Sequence, residues 1–265
     1  MSQKQKWLSF MSIAFGLFTA VMDASMIGIA LPSISKDFSL DLSSAAWISL
    51  VSTITVVAVL LPMGNISDRV GRKKIYLYGV IIMAAGSLFS SFSNEIVSLL
   101  IFRIIVSIGA AMRMSTGLAM VMMIFKDNER GKGLGANTTT VGLAAITGPI
   151  FGGFLVGNFG WESIFITQAL LSLPTYLLGF YFLNKDVVDS NHNHRKGNFD
   201  FTGSIISAIA FSVLLFTINY GLVNMSTLII SFSFLISMLL FILFIYAETK
   251  ADQPILNTIL LKNKN

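Results

Sequence analysis

Eight apolar runs of about 20 residues, joined mostly by short polar connections, leave this chain little choice of architecture. They cover roughly Trp7–Pro32, Ala46–Met63, Ile75–Phe92, Ile96–Phe125, Gly133–Gly157, Ser163–Leu183, Thr202–Leu222 and Thr227–Ala247. Each is long enough to cross a bilayer as a helix. The expectation is an all-α, polytopic membrane protein with about eight transmembrane helices. The composition agrees: charged residues are 12% of the chain, where a soluble domain carries roughly 25%.

Lys4 and Lys6 precede an apolar run that could mimic a signal peptide. No A-x-A-type cleavage site follows, and the run continues past Asp23 to Pro32. A retained first helix is expected. There is no Cys, hence no disulfide framework, and the two His residues, His192 and His194, share one polar stretch. No Ser/His/Asp, metal-ligand or phosphate-cradling constellation is present, so an enzyme is not expected. The net charge of +5 could point to nucleic acid. In so apolar a chain the positive-inside bias explains it better. Fifteen basic residues, in groups from Lys4 to Lys264, fall on one side of the eight spans. Lys36 alone falls on the other, and Arg103 and Arg113 lie within the fourth span. That split places both termini in the cytoplasm.

The connection after the second run reads Gly64-Asn65-Ile66-Ser67-Asp68-Arg69-Val70-Gly71-Arg72-Lys73-Lys74. A solvated positive-inside loop alone would need neither the Asp nor the glycines. Gly64 and Gly71 permit a tight turn, and Asp68 beside several cations can hold two helix ends together. The spacing G-x-x-x-D-R-x-G-R-K-K resembles the loop between helices two and three of the major facilitator superfamily of secondary transporters. That resemblance implies a cytoplasmic latch made by Gly64, Asp68, Arg69, Gly71, Arg72 and Lys73.

Asp23 and Arg103 are charges inside spans, which are costly and therefore need a partner, water or a function. Nine residues separate Asp23 from Pro32, about 13 Å of helix, too far for a short side chain to reach the interface. A buried carboxylate of this kind is a candidate proton carrier, with a structural hydrogen-bonding role as the alternative. The segment Asp23-Ala24-Ser25 through Ala30-Leu31-Pro32 is similar to the first-helix D-x-T-x-x-x-x-A-L-P signature of drug:proton antiporters, with Ser25 for Thr and Gly28 for the usual Asn. Arg103 stands in a segment that resembles their fourth-helix R-x-x-Q-G-x-G, of which Arg103 and Gly109 match while Val106 and Ser107 depart. Arg103 is the candidate partner of Asp23. Arg113, ten residues further on, sits where the family usually has an apolar residue. Its surroundings suggest only an interior polar site.

Gly148-Pro149-Ile150-Phe151-Gly152-Gly153, in the fifth span, resembles the antiporter signature of helix five, with Ala144 at a preceding position where Gly is usual. Small residues let a neighbouring helix approach. The resemblance implies that Gly148, Pro149, Gly152 and Gly153 seal the path between transporter halves and favour exchange over uniport. Trp47 and Trp161 look like interfacial anchors.

Phe199-Asp200-Phe201-Thr202-Gly203 and Ala247-Glu248-Thr249-Lys250 resemble the fourteen-helix branch of drug:proton antiporters, in which two extra helices lie between six-helix halves. This implies a partial major facilitator fold: a six-helix half over residues 1–184, a cytoplasmic linker over 185–201, two additional helices over 202–247 and a cytoplasmic tail over 248–265, where truncation is expected. The implied function is proton-coupled efflux of drugs or other lipophilic small molecules across the bacterial inner membrane. The proton gradient is the energy source and no cofactor is called for. The implied partners are the lipid bilayer, the small-molecule drug, protons, and a missing C-terminal half or a second copy. The rival expectation is a non-transporting remnant, or an assembly partner of a split transporter; the departures at Val106, Ser107 and Ala144 favour it. Nutrient uptake by the same fold is a third, against which Gly148–Gly153 argues.

Overall fold

The computed structural model describes residues 2–125, 127–189, 201–218 and 226–250. Every regular element among them is helical. The long helices are α1 (Gln3–Asp37), α2 (Trp47–Val70), α3 (Arg72–Ser90), α4 (Ile96–Ile124), α5 (Arg130–Phe159), α6 (Glu162–Phe182), α7 (Phe201–Phe216) and α8 (Thr227–Lys250). One falls at each of the eight expected spans. Six of these segments are long and apolar enough to cross a membrane by themselves. The third span is the exception for a chemical reason: α3 opens on Arg72, Lys73 and Lys74. The seventh has a shorter apolar helix, Gly203–Phe216. The expected end of that span at Leu222 lies outside the described residues, as do most of the linker and the tail from residue 251.

Local chemistry sets the boundaries. Ser2 caps α1: its hydroxyl accepts from the Gln5 backbone N–H at 3.2 Å, and the Gln5 side chain accepts from the Ser2 backbone N–H. The helix then runs through Pro32 to Asp37, longer at both ends than its apolar run. Gly71, at φ +110°, separates α2 from α3 with a backbone that an L side chain rarely adopts. Gly160, at φ +83°, does the same between α5 and α6.

In the bundle, α1 packs on α5 and α6 and touches α4. Helix α4 packs on α2 and α3, and α3 on α6. Helix α7 lies against α2, and α8 against α7. The α3–α4 seam is the tightest: a Cβ added at Gly109 would stand 2.6 Å from both the Gly79 carbonyl oxygen and the Met83 backbone nitrogen. The one glycine kept from the fourth-helix signature is thus needed for backbone approach.

Two large apolar clusters and a small one of Ala20, Met83 and Val106 fill the bundle. Of the large ones, one gathers Phe10, Ile13, Tyr76, Met120 and Phe125; the other gathers Met22, Met26, Leu99, Trp161 and Phe165. Between them along α1 and α4 lies a polar band: Thr19, Asp23, Arg103, Ser107 and Arg113, all buried. Trp161 is packed against protein at the junction of α5 and α6. It is 3% exposed, and its indole N–H donates to Asp37 Oδ2 at 2.8 Å. A buried indole needs such an acceptor, so this tryptophan ties the end of α1 to the start of α6.

Candidate functional site

The structure brings the two candidate coupling residues together. Arg103 Nη1 on α4 lies 3.1 Å from Asp23 Oδ2 and 3.4 Å from Oδ1 on α1. Asp23 is 3% exposed and Arg103 2%. From α2, Ser52 Oγ accepts from Arg103 Nε at 3.2 Å. From α6, the Phe165 ring lies 5.7 Å from the guanidinium carbon. One charge pair therefore ties α1, α2, α4 and α6. It lines a cavity of about 250 Å³ that also receives Ser52, Thr53, Val57, Ser107 and Met114.

The chemistry follows from placement. In low dielectric an ion pair is held only while both charges persist. A proton delivered to Asp23 through the cavity would leave Arg103 without its counter-ion, and deprotonation would restore the pair. A positioned carboxylate with a competing cation is the minimum machinery for exchanging a proton against a second event. Ser107, where the family signature has Gly, adds a buried hydroxyl without a hydrogen-bond partner, one turn from Arg103.

Arg113 lies deeper toward the other end of the band. Its Nη2 donates to the Gly16 carbonyl and to Thr19 Oγ1 (2.8 Å), and its Nη1 contacts Met83 Sδ at 2.8 Å. Gly16 supplies the space, since a Cβ there would collide with the Tyr76 hydroxyl and stand 3.2 Å from Arg113 Nη2. Tyr76 in turn donates to the Ser12 carbonyl at 3.0 Å. This account was not legible from spacing, because the acceptors are backbone carbonyls and a thioether.

At the α2–α3 turn, Arg72 donates from Nε (3.1 Å) and Nη2 (2.8 Å) to Asp68 Oδ1, and its Nη1 contacts Met123 Sδ on α4 at 2.7 Å. Arg69 Nε donates to Asn65 Oδ1 at 2.9 Å. Lys73 Nζ donates to the carbonyls of Phe180 and Leu183, at 2.7 and 2.6 Å, capping the end of α6. Asp189 joins this turn, accepting from the Arg72 backbone N–H at 2.8 Å. A carboxylate at a helix N-terminus is favourable, but nothing in its sequence neighbourhood marks Asp189 for that place. On the same basic side, Lys6 Nζ lies 2.6 Å from Glu129 Oε2. The Lys6 ammonium holds the Glu129 carboxyl below its ordinary range, with Lys132 assisting.

The glycines of the fifth-span motif face α1. A Cβ at Gly148 would meet the Ser25 hydroxyl and Met22 carbonyl, and one at Gly152 would lie 3.1–3.2 Å from three Met26 atoms. Gly153 meets only Ile29, at 4.0 Å. Gly148 and Gly152 thus close on a helix of the same half, while Ile150, Phe151 and Phe154 point outward. Among the described residues, no group of three or more His, Cys, Asp or Glu could hold a metal ion.

A membrane-embedded helical bundle with a buried carboxylate–guanidinium pair, a charged turn between its second and third helices and a glycine seam on its first helix has clear relatives. The chain belongs to the Major Facilitator Superfamily, whose profile matches residues 13–261. The riboflavin transporter RibZ of Clostridioides difficile (strain 630) is 33% identical over 262 residues, 99% of this chain and 56% of that protein. Multidrug resistance protein 3 of Bacillus subtilis (strain 168) is 25% identical over 256 residues, 96% of this chain and 49% of that protein. The chain spans about half the length of the curated relatives it matches. In fold it is similar to the inward-facing, occupied structure of a bacterial homologue of the human lysosomal transporter Spinster. There the TM-score is 0.64 at 19% identity, over 70% of this chain and 46% of that one. This is a multi-pass bacterial membrane protein of a transporter family.

Proposed function

We propose that this chain forms one half of a proton-coupled exporter of lipophilic small molecules in the bacterial inner membrane, with both termini in the cytoplasm. The observation that carries the reading is the Asp23–Arg103 pair, buried and yet lining a cavity. The proton gradient supplies about 2.3 kcal/mol per charge per 100 mV, and Asp23 is the group placed to use it. Asp68, Arg69, Arg72 and Lys73 act as the cytoplasmic latch, and Gly148, Pro149, Gly152 and Gly153 set how closely α5 lies on α1. A second six-helix half completes the substrate path. The multidrug names of several relatives support export of such molecules; the name of the riboflavin transporter widens the class beyond drugs.

The test uses vesicles that hold this chain together with a second six-helix half, and a pH indicator, acidic inside, challenged with ethidium, rhodamine 6G and fluorescein. The expected result is that at least one dye discharges the gradient through the wild type and not through Asp23→Asn. If Asp23→Asn discharges it equally well, Asp23 is not the proton carrier. If none of the dyes acts beyond protein-free vesicles, the exporter reading is overturned.

A further inference from the structure

Arg113 is 3% exposed and makes no ion pair among the described residues. Its acceptors are a carbonyl, a hydroxyl and a thioether sulfur, all neutral, and its Nε has no hydrogen-bond partner. A guanidinium cannot shed its charge as a lysine can, and a thioether is a weak acceptor. The polar band between α1 and α4 therefore holds two arginines against one aspartate, a net positive charge in the bundle interior. Such a charge calls for an anion.

The surroundings provide room for one. Arg113 lines a cavity of about 260 Å³ whose walls are otherwise mostly aliphatic, including Leu17, Leu60, Met114 and Leu118. Asn137 of α5 lines it as well, and its side-chain amide adds a donor. Tyr76 also lines it, its phenol beside Arg113. A largely aliphatic chamber with one fixed cation, one amide and one phenol suits a flat apolar body that ends in a negatively charged oxygen group. Planar, forked recognition of carboxylate is what a guanidinium does best.

We propose that this cavity binds the anionic end of a small organic acid, with its carboxylate on Arg113 and its apolar body on Leu17, Leu60 and Met114. The substrate class then includes amphipathic anions. The inference rests on the transport reading only for the fate of the ligand; binding itself needs neither a proton gradient nor a second half.

Isothermal titration tests it, using the full chain in phosphatidylcholine nanodiscs with empty discs subtracted. The probes are 2-naphthoate and its neutral counterpart 2-naphthalenemethanol. The expected result is saturable binding of one naphthoate per chain, at least tenfold tighter than the alcohol. Arg113→Gln brings the two probes within twofold, and Arg113→Lys keeps part of the gap. Because Arg113 also ties α1 to α4, Leu60→Trp serves as a second variant: it fills the cavity from α2 and keeps Arg113 in the chain, and it should abolish naphthoate binding. Equal affinity for acid and alcohol in the wild type overturns the proposal, as does naphthoate binding that survives Leu60→Trp. An anionic headgroup could supply the same chemistry, so the titration is repeated with one third phosphatidylglycerol. Unchanged affinity supports a soluble acid; loss of naphthoate binding there assigns the cavity to lipid and overturns it. Failure of dye-driven proton release with naphthoate binding intact would sink the exporter reading alone.

Discussion

Removing both members of the Asp23–Arg103 pair should cost far less than removing either one. At 3.1 Å and an effective dielectric constant of 20, their attraction is about 5 kcal/mol. Burying the two ions costs several kcal/mol each, so the pair as a whole adds little net stability. A single deletion is different, because the remaining charge keeps its burial cost and loses its attraction. Asp23→Leu would leave the Arg103 guanidinium with only the Ser52 hydroxyl and the Phe165 face. Its expected cost is about 3–5 kcal/mol. Arg103→Met should cost a comparable amount, and the double variant should return to within about 1 kcal/mol of wild type. The coupling energy is then at least about 5 kcal/mol, above the usual range for contacting residues. Reversible SDS unfolding in mixed micelles, followed by fluorescence of Trp7, Trp47 and Trp161, measures all four proteins. Additive losses would refute the reasoning, since they would mean that neither charge depends on the other.

Gly109→Ala should destabilise more than Gly148→Ala. At Gly109 the blocking atoms are the backbone of Gly79 and Met83, whereas at Gly148 the first atom met is a serine hydroxyl that can rotate. Overpacking costs about 1–3 kcal/mol, and the same unfolding assay should place Gly109→Ala at or above the top of that range; a reversed order contradicts the packing. Lys73→Met should lose about 1–2 kcal/mol, because two carbonyls at the end of α6 lose a charged donor, and amide exchange should rise around Phe180–Leu183. Glu129 titrates below its ordinary value beside Lys6, so its contribution is full above the unfolded glutamate value. It is lost as pH falls through the lowered folded value. Glu129→Gln should remove that acid-side slope in melting temperature, and an unchanged slope would exclude the pair as its source.

Much of the fold was legible because apolar run length is a one-dimensional signal. Eight runs marked eight helices, and the charged turn at Gly64–Lys74 marked a boundary that Gly71 enforces with its backbone. Asp23 and Arg103 were legible as partners because two opposite charges within spans have few ways to avoid each other. What was hidden is rotational setting. A helix that is apolar all round carries no face signal, so nothing in α6 announced that Trp161 turns inward to Asp37. The same gap hid which helix Gly148 and Gly152 face within this chain, where they lie against Met22, Ser25 and Met26. Asp189 was hidden for another reason: it lies in the polar stretch after α6, where one carboxylate among several has no distinguishing spacing.

The inner charges are best understood as one system. Helices α1 and α4 pack so that Asp23 meets Arg103 at one level while Gly16 and Thr19 meet Arg113 at the next. The two cavities lie at those levels, and both are lined by Ala20 and Met114. With Asp23 ionised, the band carries one excess positive charge; with Asp23 protonated, it carries two. An anionic ligand on Arg113 would therefore gain attraction when Asp23 takes up a proton, and by linkage would favour that proton in return. A cationic ligand would have to displace Arg103 from Asp23 in a site that is already positive. This charge arithmetic distinguishes the two substrate types: cations oppose proton binding, as exchange against a proton requires, whereas acids favour it, so an acid on Arg113 would bind together with the proton and not against it. Measuring proton uptake or release on addition of 2-naphthoate to the chain over a range of pH reads that sign directly, and proton release would refute the linkage between the two levels.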